Sequence, residues 1–417
     1  MIAVILAAGQ GKRMRSDQAK VLHRMAGMPL VEHVLDACEE AGVERRIVVI
    51  GHGREAVREA LRDRAVEFVV QEEQLGTGHA ALMAEPLLRG VRGEAIILAG
   101  DAPLIRAETI LALAESHRRE RNAATVVTAV FDDAEGYGRI VKGAGGELLR
   151  IVEHRDATEE ERAIREVNSG AYCFSIPELF EALAEVQPEN AQREFYITDV
   201  IDILRGRGLR VGTFRVGDPD EVAGVNTLPE LEAAEAAYWG RRCEVCRRAR
   251  AADAGARILV RGRRASLALA TEPYNSGHCI VVPYRHVGTL ASLGAEALAE
   301  VLDLAARAEA ALARAYKPEG YNMGANTGNG AAPGAGAVWG GDGAAAGGGA
   351  ARAGAVAGGG GAAQGGGTES GHLVWHVIPR WCGDTNFMAA IGGTKVLPES
   401  LDRTFERLRE ALDATDS

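Results

Sequence analysis

Short apolar runs recur along the first 230 residues and alternate with segments typical of helices. The runs are rich in Ile, Val and Ala and have the length of strands. Alternation of strand and helix is typical of right-handed β-α-β units with a parallel sheet. The pattern predicts an α/β domain whose strands include Ile2–Leu6, Arg46–Ile50, Val66–Val70, Ala95–Ala99 and Thr125–Val130.

The pattern changes beyond residue 240. Strands are expected at Ile258–Arg261 and Ile280–Pro283, followed by one long helix from about Leu293 to Tyr316. A last strand is expected at Leu373–Ile378 and a terminal helix from about Pro398 to Leu412. This order of elements predicts a second, smaller α+β domain.

Glycine is abundant, with 52 residues in 417, but it is unevenly distributed. The segment from Gly328 to Gly371 holds 19 glycines and 14 alanines in 44 residues. It has no apolar periodicity and almost no charge, so nothing in it offsets the entropy lost on ordering. We expect residues 329–370 to be a disordered insertion, although a shifted reading frame in a GC-rich gene would also produce such a tract. The predicted division is a domain over 1–230, a linker over 231–242 and a domain over 243–417.

The charge balance argues against a nucleic-acid or membrane partner. Lys and Arg number 47 against 58 Asp and Glu, which gives a net charge of −11. A basic footprint for nucleic acid or anionic lipid is therefore not expected. The apolar runs are shorter than the roughly 20 residues that span a bilayer, and no basic segment precedes the first of them. Six cysteines are too few for a disulfide scaffold, so we expect a cytoplasmic protein.

A loop of small residues follows the first predicted strand, and charged residues follow the loop. Residues 6–9 allow backbone N–H groups to approach phosphate oxygens, and Arg13 and Lys20 add positive charge. Asp101 follows the buried run Ala95–Ala99, at the sheet edge where ligands bind. A carboxylate near phosphates is a natural Mg²⁺ ligand. Taken alone, such a short loop is weak evidence for phosphate binding, since a tight strand-to-helix turn with solvated basic residues has the same pattern.

A series of ordered motifs runs through the first 230 residues. The motifs are LAAGxGxRM from Leu6, KVLH from Lys20, QxxQLGTGHA from Gln71, GDxPL from Gly100, YGRI from Tyr137, EHRDA from Glu153, EVNSG from Glu166 and YITD from Tyr196. They resemble the motifs of the sugar-1-phosphate nucleotidyltransferases. The most similar type is the uridyltransferase domain of the bacterial bifunctional N-acetylglucosamine-1-phosphate uridyltransferase/glucosamine-1-phosphate acetyltransferase.

The resemblance implies a Rossmann-like domain with a mixed, mainly parallel sheet. It also implies Mg²⁺-dependent transfer of a uridylyl group from UTP to N-acetylglucosamine-1-phosphate.

The resemblance assigns roles to individual residues. Arg13, Lys20 and Asp101 would be catalytic, and Asp101 and Asn226 would hold Mg²⁺. The nucleotide would be bound by Leu6, Ala7, Ala8, Gly9, Lys20, Gln71, Gly76 and Thr77. The sugar would be bound by Gly138, Glu153, Asn168 and Asn226.

This sequence departs from the family pattern at Lys12, Ala19 and Ala99, which stand for Thr, Pro and an aromatic residue. None of these removes a metal ligand or the key basic residues. An inactive nucleotidyltransferase fold remains the alternative. The hexapeptide repeats of the family's acetyltransferase half are not found, so no acetyl transfer is expected.

The second predicted domain begins with a pair of cysteines. The two-residue spacing of Cys243 and Cys246 allows both thiolates to reach one tetrahedral Zn²⁺, although two buried structural cysteines would have the same spacing. Along the last predicted strand, His372, Val374 and His376 alternate and so face one side.

The region from Cys243 to Leu412 resembles the histidine-triad (HIT) superfamily, and most closely its diadenosine tetraphosphate phosphorylase/hydrolase branch. The motifs are CxxC, PYNSGHCIVVPYRH from Pro273, NTG from Asn326 and PRW from Pro379. The resemblance implies a structural Zn²⁺ held by Cys243, Cys246, His286 and His372.

The position of the family's nucleophilic middle histidine is Val374, which has no lone pair for covalent catalysis. Ala270 stands where the family has a ribose-binding Asn, and His376 lies about 6–7 Å further along the strand. We expect a zinc-binding HIT-like domain with little or no hydrolase activity. Two alternatives stay open. The domain still cleaves dinucleoside polyphosphates, or it serves only nucleotide binding or pairing of two copies of the chain.

Overall fold

The computed structural model describes residues 1–14, 16, 18–251, 254–271, 273–326, 371–382 and 399–414. The chain divides into two compact units, Met1–Tyr238 and Trp239–Ser417. The segment 329–370, predicted to be a disordered insertion, lies outside the described residues.

The described part of the first unit contains a sheet of nine strands and a separate two-stranded hairpin. The strands are β1 Ile2–Ala7, β2 Arg24–Met25, β3 Met28–Pro29, β4 Arg45–Ile50, β5 Glu67–Val70, β6 Glu94–Ala99, β7 Ala124–Val130, β8 Arg139–Lys142, β9 Leu148–Val152, β10 Glu166–Ser175 and β11 Val211–Arg215. The helices are α1 Leu30–Glu40, α2 Arg54–Ala60, α3 Thr77–Leu82, α4 Glu85–Leu88, α5 Ala107–Glu120, α6 Glu159–Arg162, α7 Ile176–Leu183, α8 Asp199–Gly206 and α9 Leu228–Arg242.

The central strands of this sheet run parallel. The order is β11-β7-β10-β6-β1-β4-β5, and β1 pairs in parallel with both β4 and β6. Strand β10 is antiparallel to its neighbours β6 and β7. The prediction of an α/β unit with a mixed, mainly parallel sheet is confirmed. Residues 231–242, predicted as a linker, lie within α9.

The apolar runs are continuous because the central strands are buried on both faces. In β1, Ile5 packs in a cluster that includes Val34 of α1, and Val4 packs in a second cluster that includes Leu179 of α7 and Val200 of α8. Helices cover each face of the sheet, so the strand ends are the part left open to a ligand.

The described part of the second unit contains five strands and three α-helices. The elements are α10 Glu244–Arg250, β12 Ile258–Arg261, β13 Ala265–Leu269, β14 Cys279–Pro283, α11 Ala295–Tyr316, β15 Gly320–Asn326, β16 Val374–Arg380 and α12 Leu401–Asp413. The strands form an antiparallel sheet in the order β12-β13-β14-β16-β15. Helices α11 and α12 contribute Leu304 and Leu408 to a core shared with Val281 and Val377 of the sheet.

Two strands of this unit were not predicted from the sequence. Ala265–Leu269 is built mainly from small residues, and in Gly320–Asn326 the alternating apolar residues are separated by glycine and asparagine, which are depleted in strands. The long helix begins two residues later than expected, because Gly294 precedes it with a φ of +78° that ends the preceding turn.

Candidate active site and candidate metal centre

A cleft of about 550 Å³ opens in the first unit at the carboxyl ends of β1 and β6. This is the edge at which ligands bind in open α/β sheets. The structure brings together here most of the residues assigned to nucleotide and sugar, namely Leu6, Ala7, Ala8, Gly9, Lys20, Gln71, Gly76, Thr77, Asp101, Glu153 and Asn168. Arg13, Gly138 and Asn226 do not line the cleft. Gly138 and Asn226 contact the lining residues Asn168 and Lys20, whereas Arg13 contacts Asn226.

The loop after β1 packs closely against Lys20. Gly11 has a φ of +65°, and a Cβ at this position would lie 2.6 Å from the Cβ of Lys20. Only glycine combines that conformation with that approach. The loop therefore holds Lys20 at the cleft wall.

Lys20 is the centre of a charged cluster. Its Nζ forms an ion pair with the Asp101 carboxylate and donates a hydrogen bond of 2.9 Å to Asn226 Oδ1. Arg13 donates to the same Asn226 oxygen, also at 2.9 Å. The backbone N–H of Val225 donates to Asp101 O at 2.8 Å, which fixes the two segments together.

The donor chemistry of this cluster fits Mg²⁺. A carboxylate oxygen of Asp101 and the amide oxygen of Asn226 converge on one point, which the Lys20 ammonium occupies. Both are hard oxygen ligands, and Mg²⁺ is typically bound by one or two such groups together with substrate phosphates.

A tight backbone contact shapes the cleft next to α3. Gly76 has a φ of +110°, and a Cβ there would lie 2.6 Å from Phe195 O. Gly78 N donates to the same carbonyl at 2.7 Å, and Ile197 N donates to Thr77 Oγ1 at 3.2 Å. The start of α3 is therefore joined to the segment before α8, and Gly76 cannot carry a side chain.

Three of the four residues assigned to the sugar, Gly138, Glu153 and Asn168, form one wall, whereas Asn226 lies in the Lys20 cluster. Asn168 N donates to Gly138 O at 2.8 Å, and a Cβ on Gly138 would lie 3.3 Å from Glu153 Oε1. Thr198 Oγ1 donates to the same Glu153 oxygen at 3.3 Å. Burial raises the pKa of Glu153, and the negative charges of Asp199, Asp156 and Glu194 act in the same direction.

Sequence reasoning missed Tyr172 and Glu194, which also line the cleft. Tyr172 is almost fully buried in β10, so the sequence marks it as core. The register of β10 shifts between Asn168 and Tyr172, and both residues line the cleft, where Asn168 Nδ2 donates to Tyr172 Oη at 2.7 Å. Glycine at position 170, with a φ of +79°, was the signal that could have revealed this bulge.

The four predicted metal ligands of the second unit lie together. The ligand atoms of Cys243, Cys246, His286 and His372 are all within 4.8 Å of one another. Cys246 Sγ is 3.1 Å from His372 Nδ1 and 3.3 Å from His286 Nδ1, and Cys243 Sγ is 3.7 Å from His372 Nδ1. Tetrahedral Zn²⁺ with ligand bonds of about 2.0–2.3 Å needs separations of roughly this size.

The surroundings of the cluster favour metal binding. His372 Nε2 donates to Pro283 O at 3.0 Å, which leaves Nδ1 as the unprotonated nitrogen facing the sulfurs. Trp239 stacks on His286 with ring centroids 3.7 Å apart. A hydrogen bond from Cys246 lowers the pKa of the Cys243 thiol, and the thiolate is the form that binds a metal.

The other two triad positions have different neighbours. Val374 is buried in an apolar cluster with Val245, Ala270 and Ile280. The two substitutions at nucleotide-binding positions of the family, Val374 and Ala270, therefore pack in one cluster. His376 Nδ1 lies 3.1 Å from His278 Nε2, and burial lowers the pKa of His376 to about 4.

Two family models match this chain. The MobA-like NTP transferase domain matches residues 3–200, and the HIT domain matches residues 252–334. The chain carries a nucleotidyltransferase domain and a HIT domain. The match to the HIT model ends before His372, so the strand with the triad positions lies outside the matched residues.

The similar proteins match over roughly the length of the nucleotidyltransferase domain. The bifunctional protein GlmU of Brevibacillus brevis is 51% identical over 240 residues, which are 58% of this chain and 52% of that protein. The same-named protein of Exiguobacterium is 50% identical over 234 residues, 56% of this chain and 52% of the relative. The chain spans about half the length of these curated relatives. A solved UDP-glucose pyrophosphorylase, complexed with UDP-glucose, is 20% identical with a TM-score of 0.47, over 58% of this chain and 99% of that chain.

No helix in the part of the chain that the structure describes is both long enough and apolar enough to cross a membrane.

A carboxylate beside the sugar wall of the nucleotidyltransferase domain makes stability depend on pH. Burial raises the pKa of Asp199 from 3.8 to about 6, and the neighbouring charges of Asp202 and Asp156 add to the shift. A raised acid pKa means that the folded state binds the proton more tightly than the unfolded state. The charged form therefore destabilises the fold above about pH 6, and this effect disappears as the pH falls toward 3.8.

We expect Asp199→Asn to raise the Tm of this domain by roughly 2–4 °C at about pH 7.5, because the neutral amide removes the destabilising charge. The gain is no larger because solvent screens the partly exposed carboxylate. The difference from wild type should shrink toward zero near about pH 4, as measured by calorimetry across that range. Asp63→Asn, with an exposed side chain in the same domain, is the control and should change Tm little at either pH. A stabilisation by Asp199→Asn that is equal at both pH values would contradict this assignment.

Proposed function

We propose that the nucleotidyltransferase domain transfers a uridylyl group from UTP to N-acetylglucosamine-1-phosphate, with Mg²⁺, and releases pyrophosphate. The observation that carries the proposal is the Lys20–Asp101–Asn226 cluster beside a cleft that has both a phosphate loop and a polar sugar wall. The ordered motifs and the GlmU relatives support it.

The proposed role of the chain is mainly positioning and charge neutralisation. Backbone N–H groups of residues 6–9 would orient the triphosphate, and Lys20 and Arg13 would neutralise the leaving pyrophosphate. Asp101 and Asn226 would hold Mg²⁺, which supplies charge neutralisation at the phosphates. The sugar phosphate oxygen then attacks the α-phosphorus in line, and no covalent enzyme intermediate is needed.

The sugar wall supports an N-acetylated hexose. Glu153 and Asn168 line the cleft with hydrogen-bonding groups that are themselves fixed, by Thr198 and Tyr172 respectively. Groups fixed in this way select a substrate by orientation, because rotation of their side chains would break the internal bonds.

The test is pyrophosphate release by the full chain with Mg²⁺ and pairs of substrates. We expect the highest kcat/KM for UTP with N-acetylglucosamine-1-phosphate, and at least about tenfold lower values when glucose-1-phosphate replaces that sugar phosphate. Equal rates with both sugars would contradict the proposed substrate. No release above the background of an Asp101→Ala variant would contradict the transfer itself.

We further propose that the HIT domain holds one structural Zn²⁺ and does not cleave dinucleoside polyphosphates. The supporting observation is the packing of Val374 and Ala270 in one apolar cluster, at the positions where the family has its nucleophile and its ribose ligand. In the same assay series, diadenosine tetraphosphate should stay intact with the wild-type chain. Its turnover above a buffer control would favour the bifunctional alternative.

The remaining proposals concern the cellular compartment of the protein and its binding partners. All six cysteines are free, which fits the reducing cytoplasm in which we place the protein. The absence of nucleic-acid and membrane partners, and pairing of two copies through the HIT domain, stay predictions.

A further inference from the structure

Two acceptors fix the side-chain amide of Gln71 in the cleft. Gln71 Nε2 lies 3.1 Å from Gly76 O and 3.0 Å from His79 Nδ1. A backbone carbonyl only accepts hydrogen bonds, so the group that faces it must be the NH₂. Because an amide NH₂ only donates, His79 Nδ1 must accept, and the neutral ring carries its proton on Nε2.

This arrangement determines which atom Gln71 offers to a ligand. Both amide protons are directed at protein acceptors, so the carbonyl oxygen Oε1 is the group left for the cleft. Gln71 lines the cleft and is only 3% exposed, so bulk water does not compete for the amide. If the nucleobase lies against Gln71, this fixed acceptor accepts a hydrogen bond from a ring N–H of the base. It repels a ring nitrogen that presents a lone pair instead.

The Gly76 carbonyl by itself would hold the side-chain amide of Gln71 only weakly. That carbonyl also accepts from Ala80 N at 3.0 Å, as the first bond of α3. The second amide proton therefore depends on His79, in the first turn of the same helix and half-buried near Phe195. Without the His79 acceptor, one amide proton of a buried group would be left unpaired.

We propose that His79 is a positioning residue that selects the nucleobase by holding the Gln71 carbonyl toward the ligand. A base with a protonated ring nitrogen, as in uracil, is then favoured over cytosine, whose corresponding nitrogen is an acceptor. The inference rests on the proposed uridylyl transfer, since it assigns the base that the same cleft binds.

The test compares three variants of the full chain by titration calorimetry with UTP and with CTP, in Mg²⁺ and without sugar phosphate. His79→Leu removes the acceptor. His79→Phe also removes it and keeps a ring beside Phe195, so the result does not depend on the folding of one variant. His79→Asn keeps an acceptor, because its Oδ1 is as many bonds from Cβ as the Nδ1 of histidine.

We expect wild type to bind UTP at least about tenfold more tightly than CTP, and His79→Asn to keep that ratio within about threefold. His79→Leu and His79→Phe should lower the ratio by about tenfold, because the freed amide can rotate and donate a hydrogen bond from its NH₂ group to the acceptor nitrogen of cytosine. A lowered ratio is specific to the base, because a general loss of structure would weaken the binding of UTP and of CTP to the same extent.

Two results would overturn the inference: no preference for UTP in wild type, or a preference that survives in both variants without the acceptor. Failure of the proposed transfer is distinguishable from either. In that case wild type and His79→Asn still prefer UTP in binding, whereas no pyrophosphate is released with N-acetylglucosamine-1-phosphate.

Discussion

Replacing Asp101 by Asn is expected to lower the kcat of pyrophosphate release by about 10²–10³-fold. The substitution keeps the shape of the side chain and removes the charge that pairs with Lys20 and that would hold Mg²⁺. The side chains of Lys20 and Asp101 are only 15% and 17% exposed, so solvent screens this pair weakly. Steady-state kinetics at saturating UTP and sugar phosphate measure the effect.

The fold of the site should survive Asp101→Asn. The backbone carbonyl at position 101, which accepts from Val225 N, is unchanged by the substitution. Thermal unfolding of the variant should therefore stay within a few degrees of wild type. Asp63→Asn makes the same chemical change at a side chain that is 88% exposed, and it should leave kcat unaltered. An Asp101→Asn enzyme within threefold of wild-type kcat would exclude the proposed role of this carboxylate.

Loss of the metal is the expected result of Cys246→Ser. Cys246 is 1% exposed and its sulfur lies close to both His286 and His372, so it is central to the cluster. We expect elemental analysis after dialysis to find about one zinc per wild-type chain and almost none per variant chain. Because metal binding is coupled to folding, the unfolding transition of the HIT domain should fall by roughly 10 °C or more in calorimetry.

Two other cysteines provide controls for this experiment. Cys382→Ser alters an exposed thiol and should change neither zinc content nor stability. Cys279→Ser alters a buried thiol of β14 outside the cluster, so it should lower stability but keep the zinc. Zinc retained by Cys246→Ser at the wild-type level would disprove the site. Chelation of wild type should reproduce the loss of stability.

Sequence patterns predicted the strands that are buried on both faces, because such strands need apolar residues at every position. The runs at Ile2–Leu6 and Ala95–Ala99 correspond to β1 and β6 almost residue for residue. The same reasoning did not find Gly320–Asn326, which is stabilised by pairing with β16 and whose short apolar alternation is separated by glycine and asparagine. Tyr172 was missed because an aromatic residue in a buried strand indicates core, and only the packed structure shows that it lines the cleft.

The sequence by itself determined the chemical inventory of this protein. It contains a small-residue loop followed by Arg13 and Lys20, and an acid after a buried strand. It also contains two cysteines and two histidines of a predicted metal site, and valine at the predicted middle triad position. These features depend on residue type and local spacing, which a linear pattern records. The tertiary structure alone decided that Asn226 joins Lys20, that Val374 and Ala270 share one cluster, and that His79 and Gly76 orient Gln71. Such contacts depend on how separate segments pack and on which way a buried polar group turns, and no local pattern encodes either.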